Sequence, residues 1–142
     1  MTGVLLSIRP LYVRRIFDGT KRYEFRRKIF ACRSIERIYI YSSSPVNKLV
    51  GVFKASEILE DTPRTIWRQC REFAGIDAPT FFGYFHGKRK AFAIGIGKLR
   101  IFGTPVDPRS IRRFVRPPQS FCYLNEAVEH IISSTTAQPA SR

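Results

Sequence analysis

The chain has few of the residues from which metal sites and disulfide frameworks are built. Only three cysteines and two histidines occur among its 142 residues. Cys32, Cys70 and Cys122 show no CxxC spacing, and no short spacing links a histidine to a cysteine. An odd number of isolated cysteines argues against both a disulfide framework and a structural zinc site. We therefore expect no metal, no cofactor and a reducing, cytoplasmic location.

Long apolar runs and acidic residues are also scarce. No uninterrupted apolar stretch approaches the roughly 18 residues that a membrane-spanning helix requires. The N-terminal apolar run is too short for a signal peptide and lacks its basic start. Against 25 Lys and Arg there are only 11 Asp and Glu, which gives a formal net charge of +14. This excess predicts a polyanionic partner, with nucleic acid ahead of any anionic membrane surface.

The chain does contain enough apolar residues for one folded domain. Hydrophobic residues make up 44% of the sequence, and phenylalanine alone contributes 12 residues. The length fits a single domain, since domains most often span about 100–150 residues, and the composition excludes disorder as the main state. We expect one domain over residues 1–132, followed by a flexible polar tail over residues 133–142.

Local patterns predict short strands and short helices in the same domain. Alternating or β-branched stretches predict strands over residues 4–8, 21–29, 37–41, 49–55 and 91–102. Helices are expected to begin at Pro10, at Thr62-Pro63 and after the capping residues Asp77 and Asn125. A chain this small cannot form a doubly wound sheet, so mixed strands with helices packed outside predict a partly closed β-barrel of the α+β class.

One cluster of charged residues stands out, in the pattern Gly19-x-Lys21-x-x-Glu24-x-Arg26. Side chains repeat every second residue along a strand, so Glu24 and Arg26 project from one face. A carboxylate flanked by Arg22 and Arg26 stays ionised and can accept hydrogen bonds from the amino group of a base, while Lys21 binds a phosphate or a carbonyl oxygen. The alternative interpretation is a cross-strand ladder of salt bridges on a solvated face.

The segment GTKRYEFRR at residues 19–27, preceded by a strand and one helix, resembles the GxKxxExR signature of ASCH domains in the PUA-like superfamily. Later segments are similar to the small stand-alone members of this group. They are YSSSP at residues 41–45, VGVF at 50–53, YF-x-G at 84–87 and PPQSF at 117–121. The resemblance covers roughly residues 4–124, and the order of the segments supports it more than any one of them.

The resemblance implies a PUA-like pseudo-barrel of about five to six mixed strands with short helices outside. It also implies a cleft lined by Lys21, Glu24 and Arg26 that binds RNA or a modified base. Members of the group are described as RNA-binding or as transcriptional regulators. The predicted nucleic-acid-binding residues are Arg9, Lys21, Arg22, Glu24, Arg26, Tyr41, Ser42, Ser43, Ser44 and Gln119. The serine hydroxyls are included because they can hydrogen-bond a phosphate or a base edge, and Tyr41 because its ring can stack on a base. The alternative is that the Ser-Ser-Ser-Pro sequence only forms a turn.

An enzymatic function is the alternative that the same resemblance offers. Some very small bacterial members resemble amidohydrolases that remove the acetyl group of N4-acetylcytidine with a lysine and a threonine spaced K-x-x-T and a distant glutamate. The position three residues after Lys21 is Glu24, so the hydroxyl nucleophile is absent at the matching place. Lys21 and Glu24 remain the catalytic candidates, with Glu57 or Glu60 as other general bases.

Three functions therefore remain open from the sequence. The first is a binding module whose cleft receives a base or nucleotide, with RNA ahead of DNA as the partner. The second is a hydrolase of the same fold that acts on RNA or on a modified nucleoside. The third is a basic adaptor that uses its surface charge and no cleft.

Overall fold

The computed structural model describes residues 3–111 and 121–136. Within these residues the chain forms six strands, four α-helices and two short 3₁₀ turns. The strands are β1 (Gly3–Ile8), β2 (Tyr23–Arg26), β3 (Arg37–Ser42), β4 (Lys48–Asp61), β5 (Ala91–Val106) and β6 (Phe121–Leu124). The helices are α1 (Pro10–Phe17), α2 (Pro63–Cys70), α3 (Ala78–Tyr84) and α4 (Glu126–Thr136), and the 3₁₀ turns are Arg71–Phe73 and Pro108–Ser110.

The six strands form one mixed sheet in the order β2-β5-β4-β3-β1-β6. Only β1 and β3 pair in parallel, and the other neighbours are antiparallel. The long strands β4 and β5 change register repeatedly where they pair, which bends the sheet into a half-barrel. At Gly97 a Cβ would lie 2.6 Å from the carbonyl oxygen of Lys54, so the missing side chain permits this close approach. The structure confirms the predicted α+β, partly closed barrel.

Apolar side chains pack on both faces of the central strands. On β3, Ile38 and Ile40 face the cluster that fills the inside of the half-barrel, and Tyr39 faces a second cluster beneath α4. This division follows from the alternation of side chains along a strand. Helix α1 contributes Val13 and Ile16 to the inner cluster. A third cluster joins α2 and α3 to β2 and β5, and it fixes α3 beside β2.

The predicted helix starts are confirmed. Pro10 is the first residue of α1, and Thr62, Asp77 and Asn125 each directly precede the helix that was predicted there. Each capping side chain accepts a hydrogen bond from the backbone N–H three residues later, at 3.2, 2.9 and 2.9 Å respectively. These bonds satisfy donors that have no partner within the first helical turn.

Several elements differ in length from the local patterns. Strand β2 is shorter than the predicted residues 21–29, and β4 continues to Asp61 because it pairs with β5 along that length. Helix α4 reaches Thr136, past the expected domain end at residue 132. The Thr136 side chain is buried, and its Oγ1 accepts a hydrogen bond from Arg100 Nη2 at 3.0 Å. No helix in the described part of the chain has the length and apolarity needed to cross a bilayer.

Candidate nucleic-acid interface

A cleft of about 880 Å³ opens between the ends of β1 and β2, helix α1 and helix α3. Its volume lies within the range of pockets that hold small ligands, roughly 300–1,000 Å³. The cleft brings together half of the residues that the sequence predicted for binding. They are Arg9, Lys21, Glu24, Arg26 and Ser43. Among the described residues that line the cleft, Glu24 is the one carboxylate, and it faces an excess of cations.

Lys21 lies at the back of this cleft and is only 3% exposed. Its Nζ donates a hydrogen bond to the carbonyl oxygen of Ala74 at 2.9 Å, and it lies 4.6 Å from the ring centroid of Phe25 and 5.4 Å from that of Tyr12. Gly75 packs against the lysine stem with a φ of +70°, and a Cβ there would lie 2.7 Å from Lys21 Cγ. The backbone after the first 3₁₀ turn therefore holds the lysine in place.

Burial is the main influence on the charge of Lys21. It lowers the pKa of the ammonium group because the charged form loses its hydration. Glu24 opposes this effect and raises the pKa, whereas the positive charges of Arg15 and Arg26 lower it further. Lys21 consequently gives up its proton more readily than an exposed lysine, a property that suits proton transfer.

Glu24 and Arg26 are neighbours on one face of β2. Arg26 Nε lies 3.5 Å from Glu24 Oε2, and the two side chains are only 11% and 10% exposed, so the expected alternative of a solvated ladder does not describe them. Arg26 Nη2 donates to the carbonyl oxygen of Ser7 at 3.0 Å. Its buried Nε finds no hydrogen-bond acceptor within the described residues. A buried donor of this kind normally has an acceptor, so its ion pair with Glu24 leaves Arg26 Nε short of one hydrogen bond.

The cleft also contains residues that the sequence analysis did not select. Tyr12, Arg27, Thr80 and Tyr84 line it, and the guanidinium carbon of Arg27 lies 4.6 Å from the ring centroid of Tyr84. The sequence indicates Tyr84 only as part of the YF-x-G segment. The helical repeat of about 3.6 residues predicts which side chains share a face of α3, but the position of Tyr84 at the cleft depends on how α3 packs against β2.

Other predicted residues lie outside the cleft lining. Arg22 is exposed, and its guanidinium carbon lies 4.3 Å from the ring centroid of Phe73. Ser42 is 2% exposed because it shares a face of β3 with the inner cluster. Ser44 is exposed in the turn that follows, so of the three serines only Ser43 reaches the cleft.

Tyr41 lies on the other face of β3, next to the second cluster, and its hydroxyl donates to Asn47 Oδ1 at 3.2 Å. The alternation of side chains along β3 accounts for this position. Gln119 is outside the described residues. The alternative general bases Glu57 and Glu60 are exposed and do not line the cleft. In residues 3–111 and 121–136 no three His, Cys, Asp or Glu side chains come together in a way that could hold a metal ion.

The curled mixed sheet, the outer helices and the basic cleft define a PUA-like α+β protein. The crystal structure of the ASCH protein from Zymomonas mobilis matches with a TM-score of 0.86 at 28% identity, over 96% of each chain. A sequence relative from the same organism, described as an ASCH domain-containing ribonuclease, is 29% identical over 94% of this chain and 92% of its own length. The chain is an ASCH-domain protein.

Two further comparisons complete this result. The ribosomal protein uL22 of Ureaplasma parvum is 26% identical over 85% of this chain, but the matched part is only 39% of that protein. No model of a protein family matches the sequence.

Proposed function

We propose that this ASCH-domain protein binds RNA and that the cleft receives a base or nucleotide from a single strand. The observation that carries the proposal is the convergence of Lys21, Glu24 and Arg26 inside one cleft large enough for a nucleotide. The described activity of the Zymomonas relative, a ribonuclease, favours RNA over DNA. The basic composition favours the same polyanionic partner.

Each polar group of the cleft has a distinct part in this proposal. Glu24 accepts hydrogen bonds from the N–H groups of a base edge, because a carboxylate is a pure acceptor. Arg26 donates through its guanidinium group, and Lys21 donates to a carbonyl or phosphate oxygen. Arg9 is exposed at the end of β1 and is placed to contact phosphate. Such phosphate contacts position the strand, whereas contacts to base edges select it.

The test compares two arginines that differ in their position. Arg26→Ala removes a donor from the cleft, and Arg22→Ala removes the same charge from an exposed position outside it. We expect Arg26→Ala to weaken binding of a short single-stranded RNA about 10-fold or more, in line with the loss of a charge-assisted hydrogen bond. Fluorescence anisotropy with a labelled ten-nucleotide RNA measures the change.

The control variant separates the cleft from bulk charge. Arg22→Ala is expected to change the affinity by less than about threefold, as a single exposed charge does. Equal losses in the two variants, or an unchanged affinity for Arg26→Ala, would refute the cleft as the binding site and favour the basic-adaptor alternative.

A second candidate function is hydrolysis of RNA or of a modified nucleoside such as N4-acetylcytidine. Two observations favour it, namely the described ribonuclease activity of the Zymomonas relative and the lowered pKa of Lys21 beside Glu24. In this function Glu24 accepts the proton of the attacking hydroxyl or water. Lys21 donates hydrogen bonds to the phosphoryl or carbonyl oxygen on which negative charge develops.

Chromatography of reaction mixtures tests this second function. Purified protein is incubated with small RNAs and, separately, with N4-acetylcytidine, and Lys21→Met is run in parallel. The function predicts products with the wild type and a rate at least about 100-fold lower with Lys21→Met, since proton transfer and charge stabilisation contribute at least that much. Equal rates in both proteins would assign the activity to another site or to a contaminant.

A further inference from the structure

We propose that Tyr84 and Arg27 form a stacking subsite for a second base at the edge of the cleft. The ligand is then a single-stranded RNA of at least two nucleotides, and not an isolated nucleotide. This inference rests on the proposed function, in which the first base enters the cleft beside Glu24 and Arg26.

The two residues meet at the cleft from different elements. Tyr84 is the last residue of α3, and Arg27 directly follows the end of β2. Both line the cleft, and the guanidinium carbon of Arg27 lies 4.6 Å from the ring centroid of Tyr84. The Tyr84 ring also packs edge-on against the ring of Phe85, with centroids 4.8 Å apart, and Phe85 is buried. The tyrosine is therefore held in position before any ligand binds.

The Arg27 guanidinium group is available to bind a ligand. It is exposed, and no carboxylate lies within salt-bridge distance of it in the part of the chain that the structure describes. A planar guanidinium over an aromatic ring adds a second stacking surface and keeps its full charge for a phosphate. Bases of single-stranded RNA stack on both aromatic rings and arginine planes.

The fold contains a similar arginine–aromatic pair away from the cleft. This second pair provides a control for the importance of the position of Tyr84 at the cleft. Arg22 lies over the ring of Phe73 with 4.3 Å between guanidinium carbon and ring centroid, and neither residue lines the cleft. An arginine–aromatic pair alone is therefore ordinary surface packing in this protein. The subsite depends on a pair of this kind at the edge of the cleft.

The experiment measures the gain in affinity from a second nucleotide. Unlabelled adenosine 5′-monophosphate and the dinucleotide pApA compete against a labelled ten-nucleotide RNA for wild type, Tyr84→Leu, Tyr84→Phe and Phe73→Leu. Wild type, Tyr84→Phe and Phe73→Leu are expected to bind pApA about 10-fold more tightly than the mononucleotide, because stacking of a base on an aromatic ring contributes that much. In Tyr84→Leu the gain falls to less than about threefold, while mononucleotide affinity is retained.

The outcomes distinguish a failure of the stacking subsite from a failure of the proposed RNA-binding function. A full 10-fold gain in Tyr84→Leu, no gain in the wild type, or a parallel loss of mononucleotide and dinucleotide affinity in Tyr84→Leu overturns the second subsite. The first site is tested independently, because Arg26→Ala must weaken the mononucleotide itself. A normal effect of Arg26→Ala together with no effect of Tyr84→Leu leaves the cleft as the binding site and rejects the stacking subsite. Chromatography after each titration confirms that the nucleotides are intact.

Discussion

At the scale of single residues, the proposed function depends on Lys21, a lysine buried at the back of the cleft. The sequence identified Lys21, Glu24 and Arg26 because their spacing is local and resembles a known signature. It could not identify the carbonyl of Ala74 as the partner of Lys21 or the missing acceptor of Arg26 Nε. The first contact joins segments about 50 residues apart in the sequence, and the second depends on how the surrounding side chains pack. No local sequence pattern predicts either of them.

The lowered pKa of Lys21 predicts how stability depends on pH. The folded state releases this proton at a lower pH than the unfolded state, whose lysine has the ordinary value of 10.5. Between the folded-state pKa and 10.5 the unfolded chain binds more protons, so stability rises with pH. Urea unfolding from pH 7 to 10 is expected to show the free energy of unfolding of wild type rising relative to that of Lys21→Met.

Lys98→Met serves as the matched control, since it removes a lysine from an exposed position. The pH dependence of wild type relative to Lys21→Met is expected to exceed that relative to Lys98→Met. A difference between wild type and Lys21→Met that is constant or falls with pH would contradict the assigned burial of the ammonium group.

At the scale of elements, the segment over residues 74–76 fixes the back wall of the cleft. Gly75 has a φ of +70° and touches the stem of Lys21, whereas Gly19 has a φ of +88° and open space around it. Alanine at Gly19 is expected to cost only the backbone strain, about 1–2 kcal/mol. Alanine at Gly75 adds a steric clash, for a total of roughly 2–5 kcal/mol. Urea unfolding of the two variants gives this difference directly.

The comparison of Gly75 with Gly19 also bears on binding. Gly75→Ala displaces Lys21 and is expected to weaken RNA binding, while Gly19→Ala leaves the cleft unchanged. Similar stabilities and similar affinities for the two variants would show that the contact between Gly75 and Lys21 does not form the wall of the site.

Local elements were more predictable than their assembly. Capping by Asp77 and Asn125 depends on residues three positions apart, so the sequence predicted it. The selection of Ser43 over Ser42, and the position of Tyr84 at the cleft, depend on the pairing of β3 and the packing of α3. The length of α4 depends on the contact between Thr136 and Arg100, which lies on β5.

At the scale of the whole molecule, the net charge of +14 predicts strongly salt-dependent binding. A strand that contacts three cations at the cleft, such as Arg9, Arg26 and Arg27, gives a slope of about −2 in a plot of log affinity against log salt concentration, since each neutralised phosphate of a single strand contributes about −0.7. Arg9→Ala is expected to make this slope less steep by about 0.7, because Arg9 contacts a phosphate. Anisotropy titrations between 50 and 200 mM salt, over which the Debye length falls about twofold, provide the measurement.

The effect of Glu24→Gln on RNA affinity distinguishes the cleft from a general basic surface. The affinity of a basic adaptor would depend on the number of surface arginines and would not change in Glu24→Gln, which removes no cation. The account predicts that Glu24→Gln weakens binding at every salt concentration, because it replaces a charged acceptor in the cleft with a weaker one. An unchanged affinity for Glu24→Gln would favour the adaptor.

The most direct test of the central claim is a crystal structure of the protein with a bound single-stranded diribonucleotide such as pApA. We expect density for the first base in the cleft beside Glu24 and Arg26, with Lys21 within hydrogen-bond distance of the ligand. Density only on the outer arginine-rich surface, with the cleft holding no part of the nucleotide, would contradict it.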